Sequence, residues 1–202
     1  MSTARMPARR SGNIGVFCGS RAGTKPQYIA VAAEFGAALA ARDAGLVYGA
    51  GGVGVMGAVA QAAIEAGAQV TGVIPHELFE RERPDLLGVE LFVARSMHER
   101  KALMYRLSSA FAVLPGGFGT LDELMEVATW NQLGFHDKPV VLLNVAGFFD
   151  PLVALLDHMH AEGFFTAAER ALIQVAEDCE QALDLLGHAR RVPVAAGSEN
   201  AA

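Results

Sequence analysis

From Leu114 to Glu126 the chain reads Leu-Pro-Gly-Gly-Phe-Gly-Thr-Leu-Asp-Glu-Leu-Met-Glu, an apolar run that ends in a turn made almost wholly of glycine. Glycine lets a backbone come close to a ligand. Free N–H groups at a helix start attract an anion, most often a phosphate. A helix is expected to open near Thr120, whose hydroxyl either caps it or meets the anion. Glu123 then sits just inside the first turn, a carboxylate beside the anion site. Glu123 and Glu126 are three apart and share a helix face, and Asp122 and Glu126 are four apart. One pair faces a ligand on this arrangement, and the remaining carboxylate is solvated. A phosphate cradle beside a carboxylate suits an enzyme acting on a phosphorylated small molecule. Glycosidic cleavage sets carboxylates against an oxocarbenium-like transition state. The bland alternative is a tight strand-to-helix turn, which any α/β protein needs.

Two further groups of residues have chemical potential. The segment Ser96-Met97-His98-Glu99-Arg100-Lys101 carries three potential cations. Arg100 and Lys101 project about 100° apart on a helix, so they reach a common loop-bound ligand only if it lies at the helix side. Otherwise they belong to a solvated charged face. The loop Gly49 to Gly57 contains Gly52-x-Gly54-x-x-Gly57, with Glu77 further on, which matches the dinucleotide fingerprint. That fingerprint normally opens a fold, whereas this one follows the second strand, and Glu77 lies beyond Pro75. Packing and close ligand approach explain the loop better. An additional carboxylate is available from Glu80 or Glu82. Two cysteines, Cys18 and Cys179, make neither a disulfide framework nor a metal cluster. No histidine or cysteine spacing suggests a metal, and no Ser-His-Asp pattern stands out.

These residues must be carried by a regular scaffold. Apolar runs at Gly12–Cys18, Gly45–Tyr48, Gln69–Ile74, Leu91–Ala94, Ala110–Leu114, Pro139–Asn144 and Ile173–Ala176 alternate with segments of helical period. Strands that are almost continuously apolar, separated by helices, predict an α/β fold. It is a Rossmann-like, doubly wound parallel sheet with helices on both faces and a single domain over 13–187. Residues 76–88 are polar and lack a clear period, and a loop is expected there. Residues 1–12 and 188–202 are expected to be disordered tails. Ligands of such sheets bind beyond the carboxyl ends of the strands. Three glycine-bearing loops converge on that edge, the first being Gly19-Ser20-Arg21-Ala22-Gly23.

The bulk properties narrow the classes. The 202 residues are 52% hydrophobic and 19% charged, as suits a compact cytoplasmic domain, and the apolar content permits an oligomer. A formal net charge of −6 argues against general nucleic-acid binding. No apolar run approaches the roughly 20 residues of a membrane span, and none forms a signal-peptide core.

Pro115-Gly116-Gly117-Phe118-Gly119-Thr120-Leu121-Asp122-Glu123 is similar to the Pro-Gly-Gly-x-Gly-Thr-x-x-Glu motif of the Lonely Guy (LOG) family, the cytokinin riboside 5′-monophosphate phosphoribohydrolases. The resemblance runs across roughly residues 13–187. It includes Val16–Ser20, Tyr48–Gly57, Gly72–Pro75, Met97–Lys101 and Trp130–Gly134. It implies hydrolysis of an adenine-type nucleoside 5′-monophosphate to free base and ribose 5-phosphate, with no cofactor and no metal, by a homodimer. It also implies that Arg100 and Glu123 form the catalytic pair. Substrate contacts would come from Gly19, Ser20, Glu82, Lys101, Gly116, Gly117, Phe118, Gly119, Thr120 and Thr129. The chain departs from the family at Arg21, often a second serine, at Ala50, a glycine of its triplet, and at Val55, a leucine. Members also carry the label lysine decarboxylase. A pyridoxal phosphate enzyme needs a Schiff-base lysine, and only Lys25, Lys101 and Lys138 are available.

Overall fold

The computed structural model describes residues 12–82 and 87–187, so the expected tails lie outside the described residues apart from Gly12. The strands are β1 (Ile14–Phe17), β2 (Leu46–Tyr48), β3 (Val70–Pro75), β4 (Val89–Ala94), β5 (Ala110–Val113), β6 (Val140–Leu143) and β7 (Ile173–Ala176). Between and after them run α1 (Gln27–Ala41), α2 (Gly54–Glu65), α3 (His76–Glu82), α4 (Met97–Leu107), α5 (Phe118–Gln132), α6 (Asp150–Ala161), α7 (Ala167–Arg170) and α8 (Cys179–Gly187). The strands form one sheet in the order β4-β3-β2-β1-β5-β6-β7. Every pairing is parallel. Each residue of β1, β2, β5 and β6 is buried, because both faces of the sheet are covered.

Two apolar layers flank the sheet. One joins Phe35 and Leu39 of α1, Val59 and Ala63 of α2, and Leu183 and Leu186 of α8 to one face. Met104 and Tyr105 of α4, Leu124 and Val127 of α5, and Leu156 of α6 cover the other. The chain winds outward from β1 to β4, returns, and continues from β5 on the opposite side of β1. Register runs from Ile14 opposite Ala110 to Phe17 opposite Val113. The carboxyl ends of β1 and β5 therefore border the point where strand order reverses, the natural crevice for a ligand in this architecture.

One expectation is corrected. Residues 76–82, read as polar loop, form the helix α3 directly after β3. Leu78 and Phe79 anchor it to the apolar layer, and two adjacent apolar residues suffice to seat so short a helix without a visible period. Residues 83–86 lie outside the described residues.

Helices α1 and α2 meet through small residues. A Cβ at Gly36 would collide with the carbonyl oxygen of Val59. The obstacle is backbone and cannot rotate away, so Gly36→Ala is expected to destabilise the fold by about 1–3 kcal/mol. That corresponds to a fall in Tm of several degrees. An unchanged melting curve would contradict this packing.

Candidate active site

Three loops lock together at the crevice, backbone to backbone. The Gly19 N–H donates to Pro115 O at 3.0 Å, and the Met56 N–H donates to Gly19 O at 3.0 Å. The Val55 N–H makes a longer contact, 3.5 Å, to Arg21 O. Gly54 adopts φ +66°, and a Cβ there would lie 2.5–2.6 Å from backbone atoms of Ser20 and Arg21. The first N–H groups of α2 are thus occupied by carbonyls of the β1 loop. In a dinucleotide site those groups would receive the pyrophosphate. The Gly52-x-Gly54-x-x-Gly57 segment is a packing joint here.

The start of α5 is open by contrast. Its N-cap is Gly117, with no side chain capping it. The Leu121 N–H makes the bond back to Gly117 O at 3.1 Å, so the N–H groups of Phe118, Gly119 and Thr120 precede the helical ladder. A Cβ on Gly117 or Gly119 would meet nothing within 4 Å, so both glycines face open space. Gly116 is constrained instead, since a Cβ there would run into Thr120 Oγ1. The helix begins two residues earlier than expected. Thr120, only 3% exposed, is packed beneath Gly116 and does not cap the helix. Glu123 accordingly falls in the second turn. Phe118, at 94% exposure, and Ser20 flank the opening in solvent.

Glu123 is 5% exposed. Arg100 Nη1 lies 3.2 Å from its Oε1. The approach does not satisfy hydrogen-bond geometry, so Oε1 is buried without a hydrogen-bond partner. Arg100 is itself aimed by a bond from Nε to Val73 O of β3, 3.1 Å. A Cβ at Gly49 would overlap Arg100 Nη2, so the glycine just after β2 provides the channel for the guanidinium. Burial raises the Glu123 carboxyl to about 7, opposed by the Arg100 charge and reinforced by Asp122. Cys18, buried at the end of β1, has its thiol pushed up by burial and by the nearby Glu123 charge, and packs as an unreactive core group.

Lys101 turns the other way. Its Nζ lies 3.1 Å from Asp122 Oδ2 and 2.5 Å from Glu126 Oε2. Burial works to lower its pKa, but hydrogen bonds and charge from Glu126 and Asp122 hold it above the ordinary value. The Tyr105 hydroxyl donates to the same Glu126 oxygen at 2.8 Å. Lys101, Asp122 and Glu126 border an open cleft of about 550 Å³ with Leu121, Met125, Thr129 and Trp130. The two neighbouring cations of α4 therefore grip different carboxylates of α5. Glu82 belongs to α3, but its side chain lies outside the described residues.

Residues 56–186 match a family described as "Possible lysine decarboxylase". LOG1 of Arabidopsis thaliana, a cytokinin riboside 5′-monophosphate phosphoribohydrolase, is 46% identical over 83% of this chain and 79% of its own length. LOG4 of the same plant, with the same designation, is 47% identical over 83% and 78%. The chain belongs to the LOG family. The solved molybdenum cofactor (Moco) carrier protein of Chlamydomonas reinhardtii superposes with a TM-score of 0.65 at 26% identity, covering 87% of this chain and 94% of that one.

As a LOG chain it brings Gly19, Ser20, Gly116, Gly117, Phe118, Gly119, Thr120, Arg100 and Glu123 to one edge of the sheet, and Lys101 and Thr129 to the adjoining cleft. Sequence reasoning missed Gly49 and Tyr105. Gly49 is hidden inside a glycine loop read as one block. Tyr105 is four residues after Lys101, on the same face of α4. Each of the three lysine amines of this LOG chain has a partner, the exposed Lys25 only a weak one. Lys101 is doubly ion-paired, Lys25 Nζ donates to Ala146 O at 3.3 Å, and Lys138 Nζ donates to Tyr105 O at 2.5 Å.

The raised Glu123 pKa has a signed consequence. In the unfolded chain the group titrates near 4.5, so folding takes up a proton between that value and about 7. The protonated form is the one that burial favours. Stability contributed by Glu123 is present below pH 4.5 and falls as pH rises to about 7. Glu123→Gln is neutral throughout. The stability of this variant relative to wild type is expected to rise by roughly 2–4 kcal/mol from pH 4.5 to 7.5. Thermal melts across that range check this, and a constant difference would contradict it.

Proposed function

We propose that this chain hydrolyses the N-glycosidic bond of adenine-type nucleoside 5′-monophosphates, cytokinin riboside 5′-monophosphates among them, to free base and ribose 5-phosphate. The observation that carries the reading is the buried Glu123 Oε1, ion-paired to Arg100 yet without a hydrogen bond, less than two turns from an uncapped helix start at the strand-order switch. The names of the LOG1 and LOG4 relatives point the same way.

The 5′-phosphate docks on the N–H groups of Phe118, Gly119 and Thr120. Gly116 and Gly117 leave it room, and Gly19 and Ser20 close the opposite side. C1′ of the ribose faces Glu123. As the C1′–N bond breaks, its electron pair leaves with the base, and positive charge develops on C1′ opposite the carboxylate. Water then delivers its oxygen to C1′, and its proton balances the charge left on the base. Whether the carboxylate bonds to C1′ or acts through space, it must be ionised. Arg100 favours that form against burial and fixes its direction. Lys101, Thr129 and Glu82 supply further substrate contacts. No cofactor enters this scheme.

The Moco carrier has this fold and is named for carrying, so a non-catalytic ligand-binding role is the second reading. The intact Arg100–Glu123 pair favours hydrolysis. Chromatography of AMP and N6-isopentenyl-AMP incubated with the protein is expected to reveal free base, with none from the unphosphorylated ribosides. Glu123→Gln should reduce the rate by about 10²–10⁴-fold. Stabilisation by AMP without base release would support the second reading instead.

The working unit is a homodimer in the cytoplasm. An apolar groove of about 430 Å³ between α5 and α6 is lined by Ala128, Leu152, Leu155 and Met159. Leu121, Met125 and Thr129 line both this groove and the Lys101 cleft, so a second copy seated there would border the site. Two free, buried cysteines suit a reducing compartment. No helix among the described residues is long and apolar enough to cross a membrane. Light scattering is expected to give twice the chain mass for wild type and the single mass for Leu155→Glu. A monomeric wild type would contradict the dimer.

A further inference from the structure

The two carboxylates on Lys101 are not equivalent. Glu126 is fixed: its Oε2 accepts from Lys101 and from the Tyr105 hydroxyl. Tyr105 is only 3% exposed and is wedged edge-on against Phe17, Phe111 and Trp130, with ring centroids 6.1, 5.8 and 4.9 Å away. Asp122 is loose. Its side chain is 61% exposed and holds Lys101 through a single oxygen at 3.1 Å. An exposed ion pair adds little stability, whereas a buried ammonium left unpaired is costly. Glu126 therefore suffices to pair the buried ammonium, and Asp122 occupies a further donor of it in the free protein. Asp122 also lies three residues after Gly119, about 4.5 Å further along the axis of α5. Side chains lean toward the N-terminus of their helix, so Asp122 shares a face with Phe118 and Gly119, whose N–H groups are open.

We propose that Asp122 is a place-holding anion that yields Lys101 to the phosphate monoester of the substrate, and that Glu126, clamped by Tyr105, is the positioning residue that keeps the ammonium there for the exchange. The inference rests on the phosphate site set out under Proposed function. An ammonium has three donors, so it keeps Glu126 while trading Asp122 for a phosphate oxygen. Asp122 then competes with the ligand twice, by occupying Lys101 and by repelling the incoming dianion. Removing its charge should tighten binding, which is the reverse of what loss of a substrate contact would do.

The test is calorimetric titration of ribose 5-phosphate into the full chain, which requires no turnover. Asp122→Asn is expected to bind about 3–10-fold more tightly than wild type, in the range set by removing one close like charge. The gain should shrink in a Lys101→Met background, because the carboxylate then has no ammonium to withhold and only its repulsion of the dianion remains. Tyr105→Phe keeps the ring packing and frees Glu126, so it should weaken ribose 5-phosphate binding. In turnover it should raise KM for AMP by a larger factor than it lowers kcat, a split that a general packing defect would not produce. Equal or weaker binding by Asp122→Asn overturns the proposal. So does a gain undiminished by the loss of Lys101, or the absence of any ribose 5-phosphate binding by wild type. Binding that follows the expected pattern with no release of base from AMP would remove the hydrolase reading and leave this one standing.

Discussion

A carboxylate held out of water against one guanidinium places demands on every neighbouring element. Burial alone would neutralise Glu123, and Arg100 is the charge that opposes this at 3.2 Å. To arrive there, the arginine crosses from α4 over the end of β2, where Gly49 clears its path, and hands Nε to the Val73 carbonyl of β3. Contributions from α4, from β3 and from the glycine after β2, all in one half of the sheet, meet a glutamate presented by the other half, across the β1–β5 junction. The site exists because the strand order reverses at that junction.

The glycines divide into two kinds that composition cannot distinguish. Gly54 and Gly116 serve contacts inside the chain, where a Cβ would strike backbone or Thr120, and Gly19 is crowded by Gly116 and Pro115. Gly117 and Gly119 have no such obligation, since nothing lies within 4 Å of a Cβ on either. The packed set builds a rigid floor from three loops. The open set leaves a helix start bare of side chains. Two helix starts of similar glycine-rich sequence thus have opposite fates, that of α2 filled by the β1 loop and that of α5 exposed. The filled one is the one that matches the dinucleotide pattern.

Much of the scaffold is legible in the sequence because buried parallel strands have no polar face. The runs at Val16, Val47, Val113 and Leu142 therefore stand out as continuous apolar segments, and Ser96 announces α4 by accepting from the Glu99 N–H. Helix α3 is not legible, since only Leu78 and Phe79 anchor it. The carboxylates near the cradle are recognisable as a group, but their division is not. Periodicity leaves open which of Asp122, Glu123 and Glu126 faces a ligand. What separates them is the divergence of Arg100 and Lys101 around α5, a tertiary fact, which pairs Glu123 with one and Asp122 and Glu126 with the other. The start of α5 is misjudged by two residues because Thr120 resembles a cap, while its burial beneath Gly116 depends on the β1 loop.

The central claim is that the α5 start holds a phosphate while Glu123 addresses the anomeric carbon of the same molecule. A crystal structure of Glu123→Gln with intact AMP tests this most directly. The account predicts phosphate oxygens within hydrogen-bond distance of the N–H groups of Phe118, Gly119 and Thr120, and C1′ facing residue 123 with Arg100 beside it. A phosphate bound elsewhere, or the base rather than C1′ against residue 123, would contradict it.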